Sequence, residues 1–112
     1  MADPPGRRVV PSPVLVEVDY FLRNRVGPHV LPDLLGQILS GAIEIEDLRP
    51  PDYERVREIQ STYDDSGVGF VDAAVLAIVE RLGEPKLATL DHRHFTLMRP
   101  RHVDSLELLP AL

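Results

Sequence analysis

The segment from Phe70 to Leu82 constrains the fold most, because its apolar residues cover nearly the whole circumference of a predicted helix. Gly83-Glu84-Pro85 ends this helix, and Lys86–Leu90 follows as a predicted strand. A chain of 112 residues is long enough for one domain with one core and too short for two. The sequence therefore predicts one domain in which an apolar helix precedes a strand.

Short strands and helices alternate along the rest of the chain. Further strands are predicted at Val9-Val10, at Ala42–Glu46, where apolar residues recur with period two, and at Leu106–Leu109. Three more helices are predicted: one with Ser12 as N-cap and Pro13 as first residue, through about Arg25, one from about His29 to Leu39, and one from Pro50 to about Tyr63 with Val56 and Ile59 on its inner face. This alternation predicts an α/β fold with a mostly parallel sheet flanked by helices.

Charge and composition exclude several classes of function. The net charge of −6 argues against a broad, non-specific nucleic-acid clamp, because such binding relies on Lys and Arg neutralising phosphates. The chain has no cysteine, which excludes disulfides and thiolate metal sites. No apolar run reaches the ~18–20 residues of a membrane span, and the N-terminus lacks the apolar core of a secretory signal. We therefore expect a cytoplasmic protein without membrane association.

Two helical carboxylates occupy positions that solvation alone does not explain. Glu17 borders the apolar stripe of its helix, although a boundary carboxylate that reaches water or an arginine is the alternative. Asp72 projects away from the polar face of the apolar helix, beside large apolar side chains. Burying an ionised carboxylate there costs several kcal/mol without a partner, so we expect a cationic group to meet it. The alternative explanation, attraction to the helix macrodipole, contributes only ~0.3–1 kcal/mol.

A third carboxylate, Asp91, directly follows the Lys86–Leu90 strand. Ligands of open parallel sheets collect beyond the carboxyl ends of strands, which makes this position a candidate site, with a simple turn-forming Asp as the alternative. Two or three carboxylates that converge there would repel one another and call for a divalent cation. Ligation by oxygen alone suits Mg²⁺ or Mn²⁺ better than zinc.

Histidines and arginines cluster within residues 92–102. His92 and His94 could bind a metal, but without further ligands at suitable spacing a surface role is the simpler interpretation. The arginines form a compact basic cluster that either holds phosphates or neutralises an acidic chain: Arg93, Arg99 and Arg101.

Three segments carry a resemblance to a known family: Val9–Leu22 (VVPSPVLVEVDYFL), Tyr63–Ala73 (YDDSGVGFVDA) and Leu87–Phe95 (LATLDHRHF). Each is weakly specific alone, whereas their order and spacing together are more specific. From about Val9 to Pro110 the chain resembles the VapC-type PIN domains of bacterial toxin–antitoxin systems, which implies a three-layer α/β fold.

The resemblance also implies a metal-dependent ribonuclease. Family members place four acids around Mg²⁺ or Mn²⁺ and cut single-stranded regions of RNA by metal-activated water. By motif match, Glu17, Asp72 and Asp91 correspond to three of these catalytic and metal-binding acids. Arg93 corresponds to a basic residue after the last acid and is a candidate for contact with an RNA phosphate. Asp65, otherwise part of a solvated loop, would have a supporting role at most. The implied partners are an RNA substrate and a cognate antitoxin protein, and we expect a homodimer.

The chain departs from the family pattern at its start. Family chains open with a strand that ends in Asp-Thr or Asp-Ser, whereas residues 1–8 form a Pro-rich start that we expect to be disordered. Residues 9–112 are then a PIN-like domain without its first strand, and Asp3 is no substitute for the missing acid. We therefore expect impaired activity. Because unpaired strand edges invite pairing, we also expect the chain to close the gap, self-associate or need a partner.

Two other functions are weighed against the ribonuclease. A non-catalytic PIN-like module that binds an antitoxin is the alternative, and the missing acid favours it. A receiver-like signalling domain also groups Asp residues around Mg²⁺, but it needs an acidic pair after an early strand and a Lys after a late strand. Asp64-Asp65 precedes a helix instead, and no such Lys is present, so we discount this function.

Overall fold

A computed structural model of the chain describes residues 8–89 and 92–109. The chain divides between Asp47 and Leu48 into two compact units, the N-terminal unit and the C-terminal unit. The N-terminal unit contains β1 (Val9–Pro11), α1 (Val14–Arg25), α2 (Val30–Leu39) and β2 (Glu44–Glu46). The C-terminal unit contains α3 (Pro50–Thr62), a 3-10 turn (Asp64–Ser66), α4 (Phe70–Leu82), β3 (Lys86–Ala88), α5 (His92–Leu97) and β4 (Glu107–Leu109). None of the described helices is long and apolar enough to cross a membrane.

The N-terminal unit is built on one parallel strand pair. β1 pairs with β2 so that Val10 lies opposite Ile45. α1 contacts both β1 and α2, yet neither α1 nor α2 contains a buried residue. The buried apolar residue of this unit, among those described, is Ile43, which is 7% exposed just before β2. This unit therefore has only a small interior of its own.

α1 begins one residue later than predicted. Its N-cap is Pro13, and no side chain caps the helix. The prediction that Ser12 is the N-cap is wrong because Ser12 still belongs to the strand pairing: its backbone N–H donates to the carbonyl of Glu46 at 2.9 Å. The Ser12 carbonyl accepts the N–H of Leu15 at 3.1 Å. The chain thus turns directly from strand into helix.

The C-terminal unit holds the main hydrophobic core. Seven consecutive residues of α4, from Ala73 to Val79, are buried, because this helix presents apolar side chains on every side. α3 packs against α4 and buries Val56 and Ile59, as predicted. β3 pairs with β4 in parallel, with Leu87 opposite Leu108. The predicted α/β fold with parallel strands is confirmed, and the described strands form two two-stranded sheets.

The short helix α5 is not among the predicted elements. It has only six residues, and isolated helices of that length are unstable in water, so tertiary contacts have to hold it. Phe95 within α5 is 5% exposed and Met98 directly after it is 2% exposed. These two buried side chains anchor α5 to the core. Leu90, where the predicted strand ends, and Asp91 lie outside the described residues.

Ion pairs connect α3 with α4 in addition to the apolar contacts. Asp52 is 3% exposed and accepts hydrogen bonds from Arg81 Nε at 3.0 and 3.1 Å and from the backbone N–H of Arg49 at 2.8 Å. Arg55 donates from Nε and Nη2 to the two carboxylate oxygens of Glu80, at 2.7 and 2.9 Å. The hydrogen bonds to Glu80 raise the pKa of the Arg55 guanidinium above its usual value, so the guanidinium stays charged.

Candidate functional site

Asp72 is the third residue of α4, the most buried helix of the chain. Gly69 caps the helix in an extended conformation, and its carbonyl accepts the backbone N–H of Ala73 at 3.2 Å. The Asp72 side chain is 19% exposed, whereas the seven residues that follow it are buried. The carboxylate therefore lies at the edge of the core, where a ligand from solvent can reach it and where the helix N-terminus favours negative charge.

The Asp72 carboxylate meets a histidine ring from α5. His94 Nδ1 lies 2.9 Å from Asp72 Oδ2, and the His94 side chain is 18% exposed. Sequence reasoning expected a cationic partner for Asp72 and treated His94 as a surface residue, so the identity of the partner was missed. The available signal was the position of His94, which follows Asp91 at the predicted carboxyl end of the β3 strand.

The turn before α4 also lies near the histidine. Gly67 has a positive φ of 74°, which glycine adopts without the steric cost that a side chain imposes. A Cβ atom placed on Gly67 would lie 3.9 Å from His94 Nε2. The ring thus has the Asp72 carboxylate at one nitrogen and the Gly67 turn near the other.

The other two predicted acids are placed differently. Glu17 lies on α1 in the N-terminal unit and is exposed, which agrees with a position at the border of its apolar stripe. Asp91 lies outside the described residues. Within residues 8–89 and 92–109, no group of three or more His, Cys, Asp or Glu side chains could hold a metal ion. Of the three predicted acids, the structure therefore gives detailed surroundings only for Asp72.

The basic cluster is divided between different roles. Arg101 forms an ion pair with Glu58, and its backbone N–H donates to Glu80 at 2.9 Å, so this arginine neutralises acidic side chains of α3 and α4. The backbone N–H of Arg99 donates to the hydroxyl of Tyr63 at 2.9 Å. Arg93 is exposed on α5. For Arg101, the structure therefore favours neutralisation of acidic side chains over phosphate binding.

The chemistry of the donors agrees with a hard divalent cation. Glu17, Asp72 and Asp91 all offer carboxylate oxygens, which suit Mg²⁺ and Mn²⁺. Asp72 adds a half-buried position in which a hydrogen bond from a neighbouring element restrains the carboxylate. Such restraint is common around metal-binding carboxylates. The exposed pair Asp64 and Asp65 lies in the 3-10 turn before α4, as expected for a solvated loop.

Comparison with known proteins agrees with the resemblance of the three sequence segments. The family model described as PIN domain matches residues 1–99. Ribonuclease VapC26 of Mycobacterium tuberculosis is 33% identical over 92 residues, which cover 82% of this chain and 68% of that relative. The family match spans most of the chain and includes the positions of Glu17, Asp72 and Asp91. The chain therefore belongs to the PIN-domain family, and its similarity is to the VapC type.

Proposed function

We propose that the chain is a metal-dependent endoribonuclease toxin of a type II toxin–antitoxin system that cleaves single-stranded regions of RNA. The observation that carries this proposal is the half-buried Asp72 carboxylate at the start of α4, where the resemblance to the family implies a metal-site acid. The name of the relative, a ribonuclease, supports the same activity. The net charge of −6 fits local rather than broad RNA binding.

In this proposal the Asp72 carboxylate would hold Mg²⁺ or Mn²⁺ through its oxygens, and Glu17 and Asp91 are the further ligands that the motif match implies. When bound, the metal supplies an activated water for attack on a phosphodiester. Arg93, exposed on α5, contacts an RNA phosphate, and a guanidinium suits that task because it can donate two parallel hydrogen bonds. Arg101 takes no part, because its ion pair with Glu58 occupies it.

The proposed partners are an RNA substrate, a cognate antitoxin protein and a second copy of the chain, in the cytoplasm. Large apolar side chains are exposed on the N-terminal unit: on α1, Val16 is 76% and Tyr20 is 74% exposed, and on α2, Leu39 is 88% exposed. Val16 and Tyr20 are four residues apart and share one face of α1. Exposed apolar faces of this kind support a protein partner.

A non-catalytic module that binds an antitoxin is the second candidate. The observation that favours it is that the described residues contain no group of three metal ligands. The two candidates differ in RNA cleavage. The ribonuclease cleaves RNA and requires Asp72 to do so, whereas the non-catalytic module does not cleave RNA.

Cleavage of end-labelled single-stranded RNA with Mn²⁺ tests the proposal. We expect cleavage by the wild-type chain, its loss in EDTA, and a rate lower by ~10²–10³ for Asp72→Asn, since one group that stabilises the transition state is removed. Asp33→Asn is the matched control, because Asp33 is an exposed acid in the first turn of another helix. Absence of cleavage by the wild type would favour the non-catalytic module, whereas equal cleavage by the wild type and Asp72→Asn would contradict the role of Asp72 in the proposed activity.

A further inference from the structure

We propose that His94 is a positioning residue that holds the Asp72 carboxylate in the orientation required for metal binding. The inference rests on the proposed function, in which Asp72 is a metal ligand. It goes beyond the family motif, because His94 is not among the matched acids. His94 contributes no ligand itself; it acts through Asp72.

The hydrogen bond defines which atoms take part. His94 Nδ1 and Asp72 Oδ2 are 2.9 Å apart, a normal distance for an N–H···O hydrogen bond. Metal binding requires an ionised Asp72 carboxylate, which can only accept, so Nδ1 is the donor in this proposal. Both side chains are less than one-fifth exposed, at 18% and 19%, and water therefore competes weakly for either group.

The histidine is itself held in place by the core. Phe95 in α5 is 5% exposed, and Met98, directly after α5, is 2% exposed. The backbone N–H of Met98 donates to the His94 carbonyl at 2.9 Å. α4 and α5 are both anchored to the core. The hydrogen bond from His94 therefore holds the Asp72 carboxylate in a fixed position relative to the core.

The expected energetic consequence is a change in metal affinity. Without the hydrogen bond from His94, the Asp72 carboxylate is less restrained and has to be ordered further when the metal binds. Loss of such a supporting partner typically weakens metal binding ~10–100-fold. Because His94 is not a ligand in this proposal, its loss would leave the cleavage step itself unchanged at saturating metal.

Two variants separate positioning from a general structural role. His94→Leu removes the donor, whereas His94→Asn offers a side-chain N–H near the position of Nδ1. His92→Leu is the matched control, since it makes the same replacement on the same short helix. Mn²⁺ binding is measured from the electron paramagnetic resonance signal of free Mn²⁺, and thermal melts in EDTA report folding without metal.

We expect the Mn²⁺ dissociation constant to rise ~10–100-fold for His94→Leu and to stay near the wild-type value for His94→Asn and His92→Leu. The Mn²⁺ concentration for half-maximal RNA cleavage should rise in parallel for His94→Leu, while kcat at saturating Mn²⁺ recovers. Wild-type affinity in His94→Leu, together with lost binding in Asp72→Asn, would overturn the positioning role and leave the proposed function intact. Wild-type affinity in Asp72→Asn would overturn both. Equal loss in His94→Asn and His94→Leu would also overturn the positioning role.

Discussion

The two units bury their helices to different degrees. In the C-terminal unit α4 buries seven consecutive residues, from Ala73 to Val79, whereas in the N-terminal unit α1 and α2 bury none. Burial of apolar surface is the main source of stability. The contrast indicates that the C-terminal unit carries most of the intrinsic stability and that Asp72 lies at the edge of its most stable helix. Glu17, in contrast, lies on a helix with no buried residue.

The ion pairs of the two units show the same contrast. In the C-terminal unit, Arg81 forms an ion pair with Asp52, and their side chains are 20% and 4% exposed, respectively. In the N-terminal unit, Arg23 forms an ion pair with Asp19, one helical turn away, and their side chains are 67% and 37% exposed, respectively. Exposed pairs contribute little because water and salt screen them. Removing one partner of a buried pair leaves an uncompensated charge and costs much more.

The largest effect is expected from a cavity in α4. Leu76 is fully buried at 0% exposure, so Leu76→Ala should lower the free energy of unfolding by about 3–5 kcal/mol. Leu39→Ala is the matched control in the N-terminal unit, where the side chain is 88% exposed, and it should change stability by less than about 0.5 kcal/mol. Urea denaturation measures both. Equal losses in the two variants would break the contrast between the units.

The next largest effect is expected from the buried ion pair. Asp52→Ala should cost about 2–3 kcal/mol, because Arg81 loses the buried carboxylate that it pairs with and the N–H of Arg49 loses its Asp52 acceptor. Asp19→Ala, the same change in the exposed pair of α1, should cost about 0.3–0.5 kcal/mol. The comparison uses thermal melts at low and high salt. A loss for Asp19→Ala as large as that for Asp52→Ala would show that exposure does not govern these pairs.

The smallest effect is expected from the ion pair at the surface of the C-terminal unit. Arg101 and Glu58 are 59% and 42% exposed, so Arg101→Ala should cost less than about 1 kcal/mol. It should also leave RNA cleavage near the wild-type rate, whereas Arg93→Ala should weaken RNA binding. Gel-shift measurements with uncleavable RNA analogues separate the two. Weaker RNA binding in Arg101→Ala than in Arg93→Ala would reverse the assigned roles.

Local patterns were sufficient to predict most of the fold. α4 runs from Phe70 to Leu82 as predicted, because apolar spacing and the glycine at its end define it within the segment itself. The burial of Val56 and Ile59 followed from the same spacing. α5 was not predicted, because a six-residue helix depends on tertiary burial of Phe95 and Met98 rather than on a local signal.

The contacts of the candidate site were less predictable than its acids. The half-buried position of Asp72 could be inferred from helical geometry, but its partner His94 lies 22 residues away. The same holds for the buried Asp52, whose partner Arg81 lies 29 residues away. Pairings over such distances arise from the packing of α3, α4 and α5, which no local pattern encodes. Asp91 and Glu17 remain predicted ligands.

Calorimetric titration with Mn²⁺ decides whether Asp72, at the edge of the well-packed unit, is a metal ligand. The wild-type chain and Asp33→Asn should bind Mn²⁺ with the same affinity, since Asp33 is an exposed acid on α2. Asp72→Asn should show no measurable binding heat over the same concentration range, because it replaces an anionic oxygen ligand by a neutral amide. Equal Mn²⁺ affinity in the wild type and Asp72→Asn would contradict the assignment of Asp72 to the metal site.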